Sequence, residues 1–304
     1  MSAYTPGEAL YLLPCDHRSI LRDAYLGAHP GAAAEVDAWV REAKEVVLDG
    51  LLDAVAQGID AHSTGLLMDE EYGLAALRRA MTSGIPVFLP VDAGELGPWA
   101  LQYGDQFAEH VEAIRPDAVT ALVSYNPEDG AKARQLDALA PFFSWLARTQ
   151  YPFLLELQVL PTDAQLARSG SGMDGWMMNE RPTLIARAVD ELKAAGASPV
   201  IWKLEGCTNP GDYRAIAAAA HAGGHDRAVL IVLGAGAGVD EVDGWLVEAA
   251  REPACIGFAV GRTVWLDPIA AWARAAIDRE EAVAAVSANY RHFCETFSAA
   301  RRVP

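Results

Sequence analysis

Short apolar segments alternate along the chain with longer stretches in which apolar residues recur at helical spacing. Many of these short segments carry Val, Ile, Leu or Phe at consecutive positions, as strands do in a parallel sheet that is covered on both faces. We therefore predict eight β-strands: Ala9–Pro14, Gly58–Leu67, Pro86–Val91, Ala118–Ser124, Pro152–Leu160, Pro199–Leu204, Ala228–Leu233 and Cys255–Val260.

Helices are predicted between these strands, because apolar residues there lie three and four positions apart. Pro182 suits the first turn of its helix, and Gly84 and Gly196 follow helix ends, where a left-handed residue is favourable. The predicted helices are Val36–Ala56, Tyr72–Met81, Trp99–Ala113, Ala131–Arg148, Pro182–Ala195, Asp212–His221 and Val239–Ala250, with closing segments at Pro268–Ala276 and Glu280–Phe297.

Strands that alternate with helices specify a parallel α/β fold. Eight units over 304 residues favour a (β/α)8 TIM barrel that forms one domain over residues 1–304, with an open doubly wound sheet as the alternative. The stretch Arg168–Asp174, rich in Gly and Ser, follows the fifth strand. It is predicted to be either a mobile lid or an inert surface loop.

Composition narrows the classes of partner. A hydrophobic fraction of 52% is typical of a globular protein, and a net charge of −17 opposes binding to nucleic acid. Apolar runs fall short of the ~20 residues that a membrane span needs, so we expect a cytoplasmic protein without a membrane partner. The cysteines lack C-x-x-C spacing and are predicted to be free, buried thiols: Cys15, Cys207, Cys255 and Cys294.

We predict no metal site and no cofactor. His221 and His225 have i,i+4 spacing, but Gly223 and Gly224 between them indicate a helix end rather than a face of ligands. The active site of a TIM barrel lies where its strands end. Polar residues at those ends are Asp16–Arg18, Asp69–Glu71, Asp92, Ser124–Asn126, Glu156, Gln158, Lys203, Glu205, Gly234–Gly236 and Gly261–Thr263.

Lys203 is the first candidate for catalysis. The other three lysines, Lys44, Lys132 and Lys193, fall in helical or turn segments of polar character, whereas Lys203 interrupts an apolar strand. Burial of an uncompensated ammonium is costly, and a buried amine can lose its proton and act as a nucleophile. The structural alternative is an ion pair with Glu205, which lies on the same face of the strand.

Two carboxylates accompany this lysine. Glu156 interrupts the apolar fifth strand and is predicted to transfer protons, to act as counter-ion to Lys203, or to do both. Asp16 ends the first strand and is either a second acid–base group or a residue that orients its loop. At strands seven and eight, Gly234, Gly236, Gly261 and Arg262 predict a phosphate site, with a pair of tight turns as the alternative.

Several segments together resemble the class I aldolase-type domain at the carboxyl end of many bacterial 5-dehydro-2-deoxygluconokinases of inositol catabolism. They are more distantly similar to tagatose-1,6-bisphosphate aldolase. The resemblance covers almost the whole chain, and the segments around Lys203 and Arg262 are its most specific part. The segments are Asp16–Arg18, Tyr125–Asp129, Arg181–Pro182, Pro199–Gly206 and Gly257–Thr263.

The resemblance implies an aldolase that forms a Schiff base on Lys203, uses Glu156 as acid and base, and binds phosphate with Arg262. Within the same segments we predict substrate contacts for Arg18, Asn126, Arg181 and Glu205. Thr120 takes the place of a second lysine that the distant bisphosphate aldolases carry on strand four, which affects the substrate more than the chemistry.

The sequence thus predicts a class I aldolase that cleaves a phosphorylated ketose or keto-sugar acid and forms a homo-oligomer. A Schiff-base transaldolase and a non-catalytic sugar-phosphate-binding barrel are the alternatives. Retention of both Lys203 and Glu156 argues against the second of these.

Overall fold

Eight parallel strands pair in chain order, and the eighth pairs with the first to close a barrel. The structure is a computed structural model, and it describes residues 7, 9–94, 99–149 and 151–302. The strands are β1 Leu10–Pro14, β2 Thr64–Leu67, β3 Val87–Pro90, β4 Ala118–Ser124, β5 Phe153–Gln158, β6 Ile201–Glu205, β7 Val229–Leu233 and β8 Cys255–Ala259. The predicted (β/α)8 TIM barrel is confirmed.

Helices follow the strands and form the outer layer of the barrel. They are α1 Ser19–Ala28, α2 Val36–Ala56, α3 Glu70–Thr82, α4 Phe107–Ile114, α5 Lys132–Leu146, α6 Asp163–Arg168, α7 Gly172–Asn179, α8 Arg181–Ala194, α9 Pro210–His221, α10 Val239–Ala249, α11 Arg262–Ala273 and α12 Arg279–Arg301. Pro182 lies in the first turn of α8, and Gly84 and Gly196 have positive φ, as predicted.

Alternation along each strand separates an inner core from the layer between strands and helices. Ile201 packs inside the barrel, whereas Trp202 packs against the helices. Lys203 lies two residues after Ile201 and therefore points inward. On β5, Glu156 lies two residues after the inward Leu154, and the strand register places it opposite Lys203. The alternation of side chains along each strand and the register between β5 and β6 thus bring Lys203 and Glu156 together inside the barrel.

Closure between β8 and β1 depends on a glycine. A Cβ atom at Gly257 would lie 1.9 Å from the carbonyl oxygen of Leu10, far inside van der Waals contact. A larger residue would push these two strands apart. The barrel would then lose the parallel pairing of β8 with β1, which places the ends of these strands side by side.

Three local predictions differ from the structure. Helix α4 begins only at Phe107, because the preceding chain folds back on β3: the amide of Gln102 donates to the carbonyl of Val91 at 2.9 Å. The stretch Arg168–Asp174 contains the end of α6 and the start of α7 rather than one glycine-rich loop. Helix α1 was not predicted from the sequence; its fully buried residue is Leu21, and Ile20, Tyr25 and Leu26 pack against the core while partly exposed.

The four cysteines are buried and unpaired, as predicted. Within the described ranges, no helix combines the length and the apolar character needed to cross a bilayer.

Candidate active site

A cavity of about 340 Å³ opens at the carboxyl ends of the strands. Its volume suits a small molecule. The structure brings most of the predicted site residues together here: Asp16, Arg18, Glu156, Lys203, Gly234, Gly236, Gly261 and Arg262 all line it. The sequence assigned no role to the other polar or charged residues of the lining, which are His17, Ser19, Arg22, Asp92 and Gln158.

Lys203 and Glu156 form an ion pair at the base of this cavity. The Nζ atom of Lys203 donates a hydrogen bond to Oε2 of Glu156 at 2.5 Å, and the two side chains are 4% and 14% exposed. Burial raises the pKa of the Glu156 carboxyl, as does the charge of Asp16, and these effects outweigh the attraction of Lys203. Glu156 is therefore suited to hold a proton and to release it within the cavity.

Asp16 and His17 follow β1 and face the same space. The Oδ1 atom of Asp16 and the Nδ1 atom of His17 are 3.3 Å apart. Burial raises the pKa of Asp16, but His17, Lys203 and Lys44 together lower it by more. Burial lowers the pKa of His17, and so do the charges of Arg262 and Lys203, in opposition to Asp16. At neutral pH the pair thus consists of a carboxylate and a neutral imidazole.

Asp92 follows β3 and adds a third carboxyl group. Its two oxygens accept hydrogen bonds from the amides of Leu122 at 2.8 Å and Gly94 at 2.9 Å. Burial raises its pKa to about 7, with contributions from the charges of Asp16 and Glu156. Its position at a strand end was visible in the sequence, but its pKa depends on carboxylates from two other strands, which only the fold brings near it.

The loops after β7 and β8 pack against each other beside the cavity. A Cβ atom at Gly236 would lie 2.9 Å from the guanidinium carbon of Arg262, so the glycine leaves room for this side chain. The hydroxyl of Thr263 donates to the carbonyl of Ala237 at 2.9 Å and joins the two loops. Arg262 begins α11, and the first amides of a helix lack intrahelical acceptors. Guanidinium and free amides together form an environment that suits an anion.

Arg18 reaches the cavity from the first loop and is held by three polar neighbours. Its Nε atom lies 3.3 Å from Asp69, its Nη2 atom donates to Gln102 at 2.7 Å, and Nη1 lies 3.5 Å from Glu71. Asp69 and Glu71 offset part of its charge. Arg18 is therefore a more compensated cation than Arg262, for which the described residues provide no ion pair.

Three predicted substrate contacts lie outside the cavity lining. The amide nitrogen of Asn126 donates to the carbonyl of Leu160 and to Gln165, each at 2.7 Å, so this side chain ties two loops together. Arg181 and Glu205 pair at 3.3 Å. Glu205 thus pairs with Arg181. The Lys203–Glu205 ion pair that the sequence analysis gave as the structural alternative does not form, because Lys203 pairs with Glu156. The charge of Arg181 is in turn offset by Glu205.

One of the other three lysines differs from expectation. Lys44 is completely buried and pairs with Asp69 at 3.3 Å, although its helix reads as polar in the sequence. Lys132 pairs with Glu191 at the surface, and Lys193 donates to carbonyl groups at the end of α9. Lys203 is therefore one of two buried lysines, and it is the one whose side chain lines the cavity.

The fourth strand presents an apolar wall. Thr120 is 3% exposed and lies below the cavity lining, whereas Leu122 lines the cavity and is paired in register with Glu156. Leu122 thus brings an apolar side chain to this side of the site, rather than a second ammonium.

Comparison with known proteins places the chain in a family. A family model described as "Uncharacterized protein conserved in bacteria (DUF2090)" matches residues 3–301. The chain belongs to this family. No curated protein sequence matches it significantly.

Solved structures with a similar fold include several aldolases. One is an archaeal fructose 1,6-bisphosphate aldolase, at 16% identity and a TM-score of 0.59, over 96% of this chain and 94% of that one. A second is an archaeal fructose-1,6-bisphosphate aldolase whose catalytic lysine is covalently bound to the carbinolamine intermediate, at 16% identity and a TM-score of 0.55, over 91% and 94%. A third is a fructose-bisphosphate aldolase from Slackia heliotrinireducens DSM 20476, with 14% sequence identity and a TM-score of 0.54. The match covers 92% of this chain and 86% of that one.

These likenesses support the barrel fold over nearly the full length of each chain. None of the three is the kinase-fused domain that the motifs resemble.

The raised pKa of Asp92 generates a prediction about pH. The folded protein holds this proton up to about pH 7, whereas an unfolded aspartate loses it near pH ~4. Between these values the folded state binds the extra proton, so this group makes the protein less stable as the pH rises. Carbon-13 NMR should show the Asp92 carboxyl titrating near pH 7, with Asp92→Asn assigning the resonance.

The same variant provides a thermodynamic check. Asp92→Asn should flatten the decline in the free energy of unfolding between about pH 4 and pH 7, measured by urea denaturation. A titration midpoint near that of an unfolded aspartate, together with an unchanged slope, would show that Asp92 is an ordinary ionised carboxylate.

Proposed function

We propose that this protein is a class I aldolase that cleaves a phosphorylated ketose or keto-sugar acid through a Schiff base on Lys203. The observation that carries the proposal is the buried Lys203–Glu156 pair, which faces a cavity rather than a closed core. A buried ion pair is seldom needed for stability, because well-packed apolar residues serve as well or better. An ammonium and a carboxyl at the base of a cavity are, by contrast, the groups that amine catalysis requires.

The first chemical step is the attack of the Lys203 amine on the ketone carbonyl. A Schiff base forms only from the neutral amine. Transfer of a proton from Nζ of Lys203 to Oε2 of Glu156, which lie 2.5 Å apart, produces this amine. Because burial raises the pKa of Glu156, the protonated carboxyl is an accessible state. It can then protonate the hydroxyl of the carbinolamine, which leaves as water and yields the iminium.

Cleavage uses the iminium as an electron sink. A carboxylate removes the proton from the β-hydroxyl, which is on the far carbon of the bond to be broken. That carbon–carbon bond then breaks, and its far carbon leaves as an aldehyde. The electrons of that bond form an enamine on Lys203. Protonation of the enamine and hydrolysis then release the ketone product and restore the amine. Glu156 and Asp16 line the cavity with Lys203 and are our candidates for these proton transfers.

Arg262 and the glycine loops give the substrate its orientation. A phosphate on the ketone half of the sugar would lie against the guanidinium of Arg262 and the first amides of α11. Gly236 leaves room for the Arg262 guanidinium, and Gly261 lets the loop after β8 pass close to the Pro14 carbonyl, so these glycines allow the two loops to pack beside the cavity. The structural neighbours act on sugar bisphosphates by name, and one of them holds its substrate on a lysine, which agrees with this assignment.

Covalent trapping tests the nucleophile. Incubation with the ketone substrate, for which dihydroxyacetone phosphate is the first probe, followed by borohydride, should leave a permanent adduct on Lys203. Lys203→Arg should fold but give neither adduct nor turnover, because a guanidinium stays protonated. The surface substitution Lys132→Arg is the matched control and should behave as wild type. Peptide mass spectrometry locates the adduct, and its appearance on Lys44 instead would overturn the proposal.

Substitution of Glu156 separates proton transfer from charge pairing. Glu156→Gln preserves shape and a hydrogen-bond acceptor but cannot hold the proton. Turnover should fall by roughly 10²–10⁴-fold while borohydride trapping on Lys203 persists in part. Stopped assays of aldehyde release measure the first quantity and mass spectrometry the second. Near-normal turnover would leave Glu156 as a counter-ion only.

Substitution of Arg262 tests the phosphate site. Arg262→Ala should lower kcat/KM for a phosphorylated ketose by an amount equivalent to about 1.5–3 kcal/mol of binding free energy. It should leave kcat/KM for the unphosphorylated analogue almost unchanged. Arg187→Ala, which removes a surface arginine paired with Glu128, is the control and should alter neither substrate. Equal losses on both substrates would assign Arg262 a structural role.

A further inference from the structure

Behind the cavity lies a second buried ion pair that the mechanism above does not use. Lys44 on α2 and Asp69, between β2 and α3, are both 0% exposed, and their Nζ and Oδ2 atoms are 3.3 Å apart. Lys44 also donates a hydrogen bond to the backbone carbonyl of Cys15. Neither side chain lines the cavity, so neither touches a substrate.

The contacts of this pair lead directly to the cavity. The Cys15 carbonyl that Lys44 binds belongs to the peptide bond that joins Cys15 to Asp16. The second oxygen of Asp69 lies 3.3 Å from Nε of Arg18. One buried ammonium is therefore connected to both ends of the Asp16–Arg18 segment, through a carbonyl at one end and a carboxylate at the other.

The preceding carbonyl is held from the opposite side. The indole nitrogen of Trp265 donates to the carbonyl of Pro14 at 2.8 Å. Two successive carbonyls at the end of β1 are thus bound by side chains from α11 and α2. An apolar residue at position 44 could fill the space, but it would leave the Cys15 carbonyl and Asp69 without this donor, which is costly for buried groups.

We propose that Lys44 is a positioning residue: its buried ammonium, bound to the Cys15 carbonyl and to Asp69, holds Asp16 and Arg18 in place at the cavity. The kinetic part of this inference rests on the proposed aldolase function. The structural and electrostatic parts do not, because they concern the geometry and the protonation of the Asp16–Arg18 segment in the free protein.

The charge of Lys44 acts on Asp16 among several others. Lys44 and Lys203 both lower the pKa of Asp16 against the effect of burial, together with His17. Removal of the Lys44 charge should therefore raise the pH at which Asp16 takes up a proton. The titratable or charged groups that surround Asp16 and its neighbour are His17, Lys44, Asp69, Asp92, Glu156, Lys203 and Arg262.

Two variants and one control test this proposal. Lys44→Met keeps the length of the side chain and removes its charge. Lys44→Met combined with Asp69→Asn removes both charges and keeps the test possible if the single variant folds poorly. Lys193→Met is the matched control, because Lys193 also donates to backbone carbonyls, those of Ala219, Ala220 and Ala222, but lies away from the cavity.

Hydrogen exchange and carboxyl titration provide readouts without substrate. In both Lys44 variants the amides of Asp16–Arg18 should exchange about tenfold faster or more, since a charge-assisted anchor has been lost. In Lys44→Met, which removes only a positive charge, the Asp16 carboxyl, followed by carbon-13 NMR, should titrate at higher pH than in wild type. In Lys193→Met, faster exchange should be confined to the end of α9, and the Asp16 titration should not move.

Kinetics complete the test. With an active substrate, Lys44→Met should lower kcat on the order of 10²-fold, move the acidic limb of the rate profile to higher pH, and still allow borohydride trapping on Lys203. Unchanged exchange and titration in folded Lys44 variants would overturn the proposal, as would equal changes in Lys193→Met. If wild type cleaves no sugar but exchange and titration change as expected, the aldolase function fails and the positioning role stands.

Discussion

The burial of charge inside the barrel is the constraint on which the rest of this structure depends. An ammonium and a carboxyl taken out of water are each costly by several kcal/mol, and mutual attraction offsets this cost only in good geometry. The register between β5 and β6 supplies that geometry, since it places Glu156 directly opposite Lys203. The inner core below consists of apolar residues such as Leu154 and Ile201, which fix both strands and leave the polar pair at the base of the cavity.

A second layer of charge supports the first. The pair of Lys44 and Asp69 lies between the barrel and its helices, completely buried, and ties α2 to the ends of β1 and β2. Asp69 also accepts a hydrogen bond from the amide of Tyr72 at 3.4 Å and so caps α3. The Asp69 carboxylate thus follows β2, caps α3 and binds Arg18 at the cavity. These contacts restrain the loop after β1 from two sides, although loops at this end of a barrel are usually its most variable part.

Much of this arrangement could be predicted from the sequence, and the exceptions have a common cause. Apolar runs gave all eight strands, and the isolated positions of Lys203 and Glu156 within them marked the inward pair. Lys44 was predicted to be exposed because the buried face of a helix is inferred from the apolar residues that line it. A single lysine between charged residues gives no sign that it lies on that face. Arg181 and Glu205 were assigned to the substrate, but they pair with each other. Which partner a charged residue chooses depends on distances between segments that lie far apart in sequence.

The electrostatics of the cavity differ from those of the protein as a whole. The chain carries a net charge of −17, which would repel an anionic sugar phosphate at long range. Within the cavity, however, burial raises the pKa of Asp92 to about 7, and the charge of Glu156 is offset by Lys203. Among the described residues Arg262 has no carboxylate partner, and a guanidinium does not lose its charge in proteins. A locally positive anion site can therefore exist beside Arg262 in a strongly acidic protein.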